Sequence, residues 1–248
     1  MEDLIDSIES LLLNERVYSE RELLWLIKEG IFRFRLDMII QQVDLGGIIE
    51  EIFEALTVHP VSVRLPFFHE KRIINGIAFY YPHNFSPSEE DFKRAYERYI
   101  RVVNQESVRD MEKDVLKNFF RDYSFFDNGI LGFFVKGSYR FAVYPESSLE
   151  TLNGHMDAHL KIGELIQGEY VITVPTESTI EPFIKFYRER SEEIRRNEIK
   201  VWVVNPEERY VNPLIGYPRD PELINRFRNP KIASMISSLW GGKIEDLD

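Results

Sequence analysis

The sequence predicts a mixed α/β (α+β) protein with a helical N-terminal region, two β-hairpins and a C-terminal β-α-β unit. Three observations carry this. Leu4, Ile5, Ile8, Leu11 and Leu12 recur at helical spacing near the start, whereas after Pro60 the apolar residues alternate as in strands. Finally, the apolar runs Tyr170 to Val174 and Ile199 to Val204 flank a stretch, Ile180 to Arg196, whose Ile180, Phe183, Ile184, Tyr187 and Ile194 form one helical stripe. Such continuous apolar strands are expected where a parallel pair is covered on both faces.

The elements follow in order. Ser19-Glu20-Arg21-Glu22 reads as a capping box opening a helix through Leu23, Leu24, Leu26 and Ile27, which Gly30 is expected to end. Gly46-Gly47 interrupts the next pattern before Ile48 to Leu56 resumes it. Val61 to Leu65 and Ile73 to Tyr81 are expected to pair as a hairpin turning at His69-Glu70-Lys71. Ser86 or Ser88 opens a helix carrying Phe92, Ala95, Tyr96, Tyr99 and Ile100. A second helix is expected over Glu106 to Arg121. Ile130 to Val135 and Tyr139 to Tyr144 form the second hairpin, turning at Lys136-Gly137-Ser138. Ser147 to Gln167 is helical in part. Beyond Asn205 the prolines predict loops, followed by an amphipathic helix using Ile232, Met235, Ile236, Leu239 and Trp240.

Chain length allows a substantial core without staples, and the division expected is a helical region over residues 1–57 and an α/β domain over 58–248. The chain has no cysteine, which excludes disulfides, thiolate-held zinc, iron-sulfur clusters and cysteine nucleophiles. The abundance of Glu, Arg, Ile and Tyr resembles thermophile composition. The chain opens Met1-Glu2-Asp3 and has no apolar run near the ~18 residues of a membrane span, so a cytoplasmic protein with no membrane partner is expected.

A net charge of -11 disfavours nucleic acid as a partner, since such binding depends on clustered cations that release counterions. The charge is uneven. Met1 to Pro60 holds 13 acidic and 5 basic residues, while Glu181 to Lys231 holds 9 acidic and 11 basic. An anionic or protein partner is therefore expected at Lys185, Arg188, Arg195 and Arg196.

Four features bear on chemistry. His155-Met156-Asp157-Ala158-His159 sets two imidazoles four residues apart, on one face of a helix, the spacing that grips a divalent metal. Asp157, Glu164 and Glu169 are nearby carboxylates; the metalloprotease Glu beside the first His is replaced by Met156. The loops after the two parallel strands, with Thr176, Ser178 and Asn205, lie where open α/β sheets bind ligands, although hydroxyls there also serve as helix caps. Lys113 to Phe120 looks like the short peptides that dock on sliding clamps, and equally like a core stripe.

The fourth is a resemblance of element order. A helix, a hairpin, a further strand, a helix and a final strand, over Glu106 to Val204, is similar to the core of the restriction-endonuclease-like nucleases. That resemblance implies an Asp and an acid-x-Lys element holding a divalent ion that activates water; Asp127 and Glu146 are the candidate ligands. Ile172-Thr173-Val174-Pro175-Thr176 lacks the acid and the lysine, and Glu198-Ile199-Lys200 comes after the helix. Two functions are therefore expected. One is a non-enzymatic interaction or regulatory protein, associated with nucleic-acid metabolism through that resemblance, binding a protein partner or its own copy and needing no cofactor. The alternative is a divalent-metal-dependent nuclease or hydrolase.

Overall fold

The computed structural model describes residues 8, 11, 12, 15–58 and 68–229. The strand expected over Val61 to Leu65, the helix expected over Ile232 to Trp240, and Leu4 and Ile5 lie outside the described residues. The chain divides into two compact units, Met1–Glu106 with Asn128–Ile130, and Ser107–Asp127 with Leu131–Asp248. Mixed α+β architecture holds throughout, with a three-stranded and a six-stranded sheet. Among the described residues no helix is long and apolar enough to cross a membrane.

In the first unit β1 (Tyr18–Ser19) leads into α1 (Glu20–Phe34), α2 (Leu36–Ile39) and α3 (Gly46–Thr57). Ser19 caps α1 as expected, accepting from the Glu22 N–H at 3.2 Å. Glu22 itself turns to the Arg98 guanidinium, 2.6 Å away. Gly30 does not end the helix. It lies buried inside α1, where a Cβ would come within 2.9 Å of Ile8 Cγ1, so its role is close packing. Gly46-Gly47 likewise opens α3, with the Asp44 carboxylate accepting from the Gly46 N–H.

The first hairpin is a correction. It consists of β2 (Glu70–Ile74) and β3 (Ile77–Tyr81), turning at Asn75-Gly76, so the run from Ile73 is two strands and His69-Glu70-Lys71 is not a turn. Asn75 at φ 51° and Gly76 at φ 79° supply the two left-handed residues that a two-residue hairpin turn demands. Strand β3 pairs with β1 on its other side. Tyr18, Leu23, Leu26, Phe68 and Tyr80 form one core, and Val17, Phe79, Phe92 and Ala95 another.

The two helices expected between Ser86 and Arg121 are a single 31-residue helix, α4 (Glu89–Phe119). The polar stretch Asn104-Gln105-Glu106-Ser107 does not break it, because helical propensity is adequate there and no Gly or Pro intervenes.

In the second unit the six strands stand in chain order: β4 (Ser124–Asp127), β5 (Gly132–Lys136), β6 (Tyr139–Pro145), β7 (Glu169–Pro175), β8 (Lys200–Asn205) and β9 (Tyr210–Ile215). Strands β6, β7 and β8 are parallel, joined by α5 (Leu149–Leu165) and α6 (Glu181–Arg196), and the other pairings are antiparallel. The expected β-α-β unit is thus β7-α6-β8. Two strands went unforeseen. β4 is only four residues long, and β9 contains Pro213, which an edge strand tolerates because one side of its ladder is unpaired. A short helix, α7 (Pro221–Ile224), follows.

Val115, Leu116, Phe119 and Phe120 of α4 pack in one core with Phe141, Val143, Val171, Trp202 and Val204 from alternate positions of three neighbouring strands. The segment Lys113 to Phe120 therefore supplies a core stripe.

Candidate metal centre

Glu146 follows β6 directly and extends its ladder by one rung, donating its N–H to the Thr173 carbonyl at 2.8 Å. The chain then enters α5 through a capping box. Ser148 Oγ accepts from the Thr151 N–H at 3.1 Å, and Thr151 Oγ1 accepts from the Ser148 N–H at 3.0 Å. This cap sets the helix phase that turns His155 and His159 inward with Leu152, Met156 and Ile162.

The result is a three-residue cluster in which α5 brings its two histidines to Glu146, just past the carboxyl end of β6. His155 Nδ1 lies 2.7 Å, and His159 Nε2 2.8 Å, from the same carboxylate oxygen, Glu146 Oε1. All three ligand-type atoms fall within 4.8 Å of one another. His155 is 6 % exposed and the other two 0 %. On its far side His159 Nδ1 bonds the Tyr170 hydroxyl at 2.7 Å, and its ring meets Tyr144 edge-on. Arg109 reaches Glu146 Oε2 at 3.5 Å and lies over the Tyr144 ring.

Burial and hydrogen bonding shift Glu146 and His159 in the same direction. Burial works to raise the Glu146 pKa, but the hydrogen bonds from His155 and His159 outweigh it and hold the carboxyl well below the usual range. Burial pushes the His159 pKa down despite the opposing pull of Glu146, leaving that imidazole neutral. A neutral His159 donates from Nε2 to Glu146 and accepts at Nδ1 from Tyr170. Behind this cluster stands Glu112 of α4, fully buried, its Oε2 accepting from the Thr173 hydroxyl at 2.6 Å. Burial first, and Glu146 in addition, push the Glu112 pKa well up. Its Oε1 accepts no hydrogen bond among the described residues.

The structure brings together His155, His159 and Glu146, and separates the other candidates. Asp157 is exposed, as two residues from His155 amount to roughly 200° around the helix. Asp127 pairs with Lys113 at 2.9 Å. Glu164 is exposed, and Glu169 pairs with Lys200 at 3.0 Å. Glu198 faces Arg219. Tyr170, Arg109, Tyr144 and Glu112 were not foreseen; only the position of Tyr170 at the head of an apolar strand hinted that its hydroxyl needed a partner.

Thr176 and Ser178 line a separate pocket of about 260 Å³ with Thr179, Phe183, Val203 and Asn212. Asn205 instead closes the β8–β9 turn, accepting from the Glu208 N–H at 2.8 Å. Ser178 and Thr179 are not the helix cap, which is Ile180 without a side-chain bond. Lys185, Arg188, Arg195 and Arg196 are exposed along α6, interleaved with Glu189 and Glu192; Arg195 bonds the Tyr187 hydroxyl.

Residues 96–229 match the family model described as "Domain of unknown function (DUF6834), C-terminal domain", and residues 3–96 match "Domain of unknown function (DUF6846)". No curated protein matches the chain.

Proposed function

The chain belongs to the DUF6834 C-terminal-domain family, and for this member we propose a function in binding: Glu146, His155 and His159 hold one divalent transition-metal ion that serves architecture and recognition, not turnover. The observation that supports it is the convergence of two imidazoles, four residues apart on α5, on one enclosed carboxylate oxygen. Enclosing a carboxylate costs several kcal/mol even after relaxation. A divalent cation would add countercharge to that of Arg109, each imidazole turning a ring-nitrogen lone pair to the ion and carrying its proton on the other ring nitrogen.

Imidazole and carboxylate donors suit zinc and its first-row neighbours. The outer partners fit as well. Metal-held histidines ordinarily bond a second group through the other ring nitrogen, as His159 does with Tyr170. Closure of the site favours a structural ion, because a catalytic ion keeps a position open to water and substrate. In the same reading the exposed side of α6, with Lys185, Arg188 and Arg196, is the surface offered to an anionic or protein partner.

The nuclease or hydrolase alternative draws on one observation. Glu146 stands just past the carboxyl end of a parallel strand, where α/β sheets carry their ligands. The strand before the first crossover helix is β6, followed at once by Glu146 but carrying no acid-x-lysine element.

Zinc uptake by the full chain tests the proposal. After denaturation and refolding with Zn²⁺, the expected result is an ion that exchanges slowly, is retained through desalting and disappears in Glu146→Gln and His159→Gln. A wild-type chain that retains neither Zn²⁺ nor Co²⁺ and melts at the same temperature with and without them would sink it.

A further inference from the structure

Of the five histidines in the chain, four stand in two clusters of the same make-up; His59 lies outside the described residues. The second cluster is in the first unit, at the open end of the β2–β3 hairpin. Glu70 is the first residue of β2, paired with Tyr81 at the end of β3, with His69 just before it and His83 two residues beyond β3. Residues 13 and 14 apart in sequence are thereby brought together. His83 Nδ1 lies 2.6 Å, and His69 Nε2 3.8 Å, from the same oxygen, Glu70 Oε1. The two rings stand 5.3 Å apart, tilted by 31°.

We propose that His69, Glu70 and His83 form a second divalent-metal site, open to solvent and independent of the enclosed one. The observation that carries this is the convergence of three ligand-type atoms, one from each residue, all within 4.8 Å of one another. Metal bonds of 2.0–2.2 Å in tetrahedral array set donor atoms roughly 3.4 Å apart, a spacing that falls between the two distances seen. Bringing each imidazole to that distance from Glu70 Oε1 takes a change of under an ångström, and the two nitrogens already lie within 4.8 Å of each other.

The cluster is also held in place. Phe68, buried immediately before His69, donates its N–H to the Leu56 carbonyl at 2.8 Å. His83 lies in a turn closed by the Phe85 N–H and the Pro82 carbonyl at 3.0 Å. Neither histidine relies on an unsupported loop. The Glu70 carboxyl is held below its ordinary value, chiefly by the His83 bond, so it is an anion at neutral pH. Side-chain exposures of 36 % for His69, 39 % for Glu70 and 76 % for His83 leave the remaining coordination positions to water. Two imidazoles and one carboxylate select Zn²⁺, Ni²⁺ or Cu²⁺ over Mg²⁺ or Ca²⁺. An open site of this kind exchanges its ion rapidly.

The experiment is a stopped-flow and equilibrium titration of the full chain, stripped with chelator, against Zn²⁺ and Ni²⁺ with a chromophoric competitor. Wild type is expected to take up one ion in a fast phase. His83→Ala and His69→Ala should each weaken that phase by more than the roughly 10–100-fold cost of losing an outer-shell partner. His83 is too exposed for its loss to disturb folding, and the imidazole Cε1–H signals of His69 and His83 report occupancy directly. A fast phase that is absent, or that survives both substitutions with those signals unmoved, overturns the proposal. The slow ion lost in Glu146→Gln is scored separately, so either site can fail while the other stands.

Discussion

The two His-Glu-His clusters have the same three side chains and opposite surroundings. Around Glu146 both imidazoles are within 2.8 Å of the carboxylate and water is excluded. Around Glu70 one imidazole is bonded, the other stands off at 3.8 Å, and solvent reaches all three. An enclosed carboxylate must be compensated whether or not an ion is present, so it draws both N–H groups onto itself. In water, an exposed one needs no such help. Composition alone therefore does not set what a cluster does; its solvent access decides whether breaking it costs folding or only an ion.

The largest expected effect follows from the enclosed cluster. Removing one member of a buried charged pair typically costs ~3–5 kcal/mol, so Glu146→Ala, which takes the shared carboxylate from two imidazoles and Arg109, should lower stability by about that much in urea unfolding. A loss comparable to that of His83→Ala would erase the contrast. Next in size is stabilisation by metal. At about 100 times its Kd, an ion bound only by the folded chain adds ~2.7 kcal/mol, and the melting temperature of wild type should rise with Zn²⁺ while that of His159→Gln rises less.

A pH series on Glu112 sharpens the same contrast. Burial holds its proton in the folded chain well above the ordinary value of 4.5. The unfolded chain releases that proton above 4.5, so this group subtracts stability progressively as pH rises from there toward the raised folded value. Glu112→Gln removes the penalty. It should match wild type near pH 4 and exceed it in chemical denaturation at pH 8; equal stability at both pH values would contradict the assignment. The smallest effect is expected for His83→Ala, whose melting temperature without metal should be indistinguishable from that of wild type.

How much of this was legible can be argued from particular residues. The β7-α6-β8 unit shows in the sequence because both strands are buried on two faces and α6 on one, leaving unbroken and periodic apolar patterns respectively. The His155 and His159 pair was visible for the same reason, since four residues is one helical turn. Glu146 stood among the nuclease-like candidates, but its union with the histidines depends on the β6-α5 connection, which no local pattern encodes. The Asp157 expectation failed on helix phase alone. The second cluster was hidden by one misplaced turn. Reading Ile73 to Tyr81 as one strand ignored Asn75-Gly76, and with the hairpin closing elsewhere His69 and His83 had no reason to meet. Strand β9 was lost to Pro213, which counts against a central strand but not an edge one.

That edge strand bears on behaviour at high concentration. A sheet rim offers a row of unpaired donors and acceptors on which a second molecule can add, the first step toward fibrillar association. Pro213 contributes no N–H to such a row, and a bulge at Val201/Trp202 interrupts the pairing beside it. The returning chain already occupies part of the rim, with the Arg228 N–H on the Val211 carbonyl and the Asn229 N–H on the Asn212 side chain. A neighbour approaching β9 would find few places to bond, which keeps this end of the six-stranded sheet from seeding aggregates in a crowded solution.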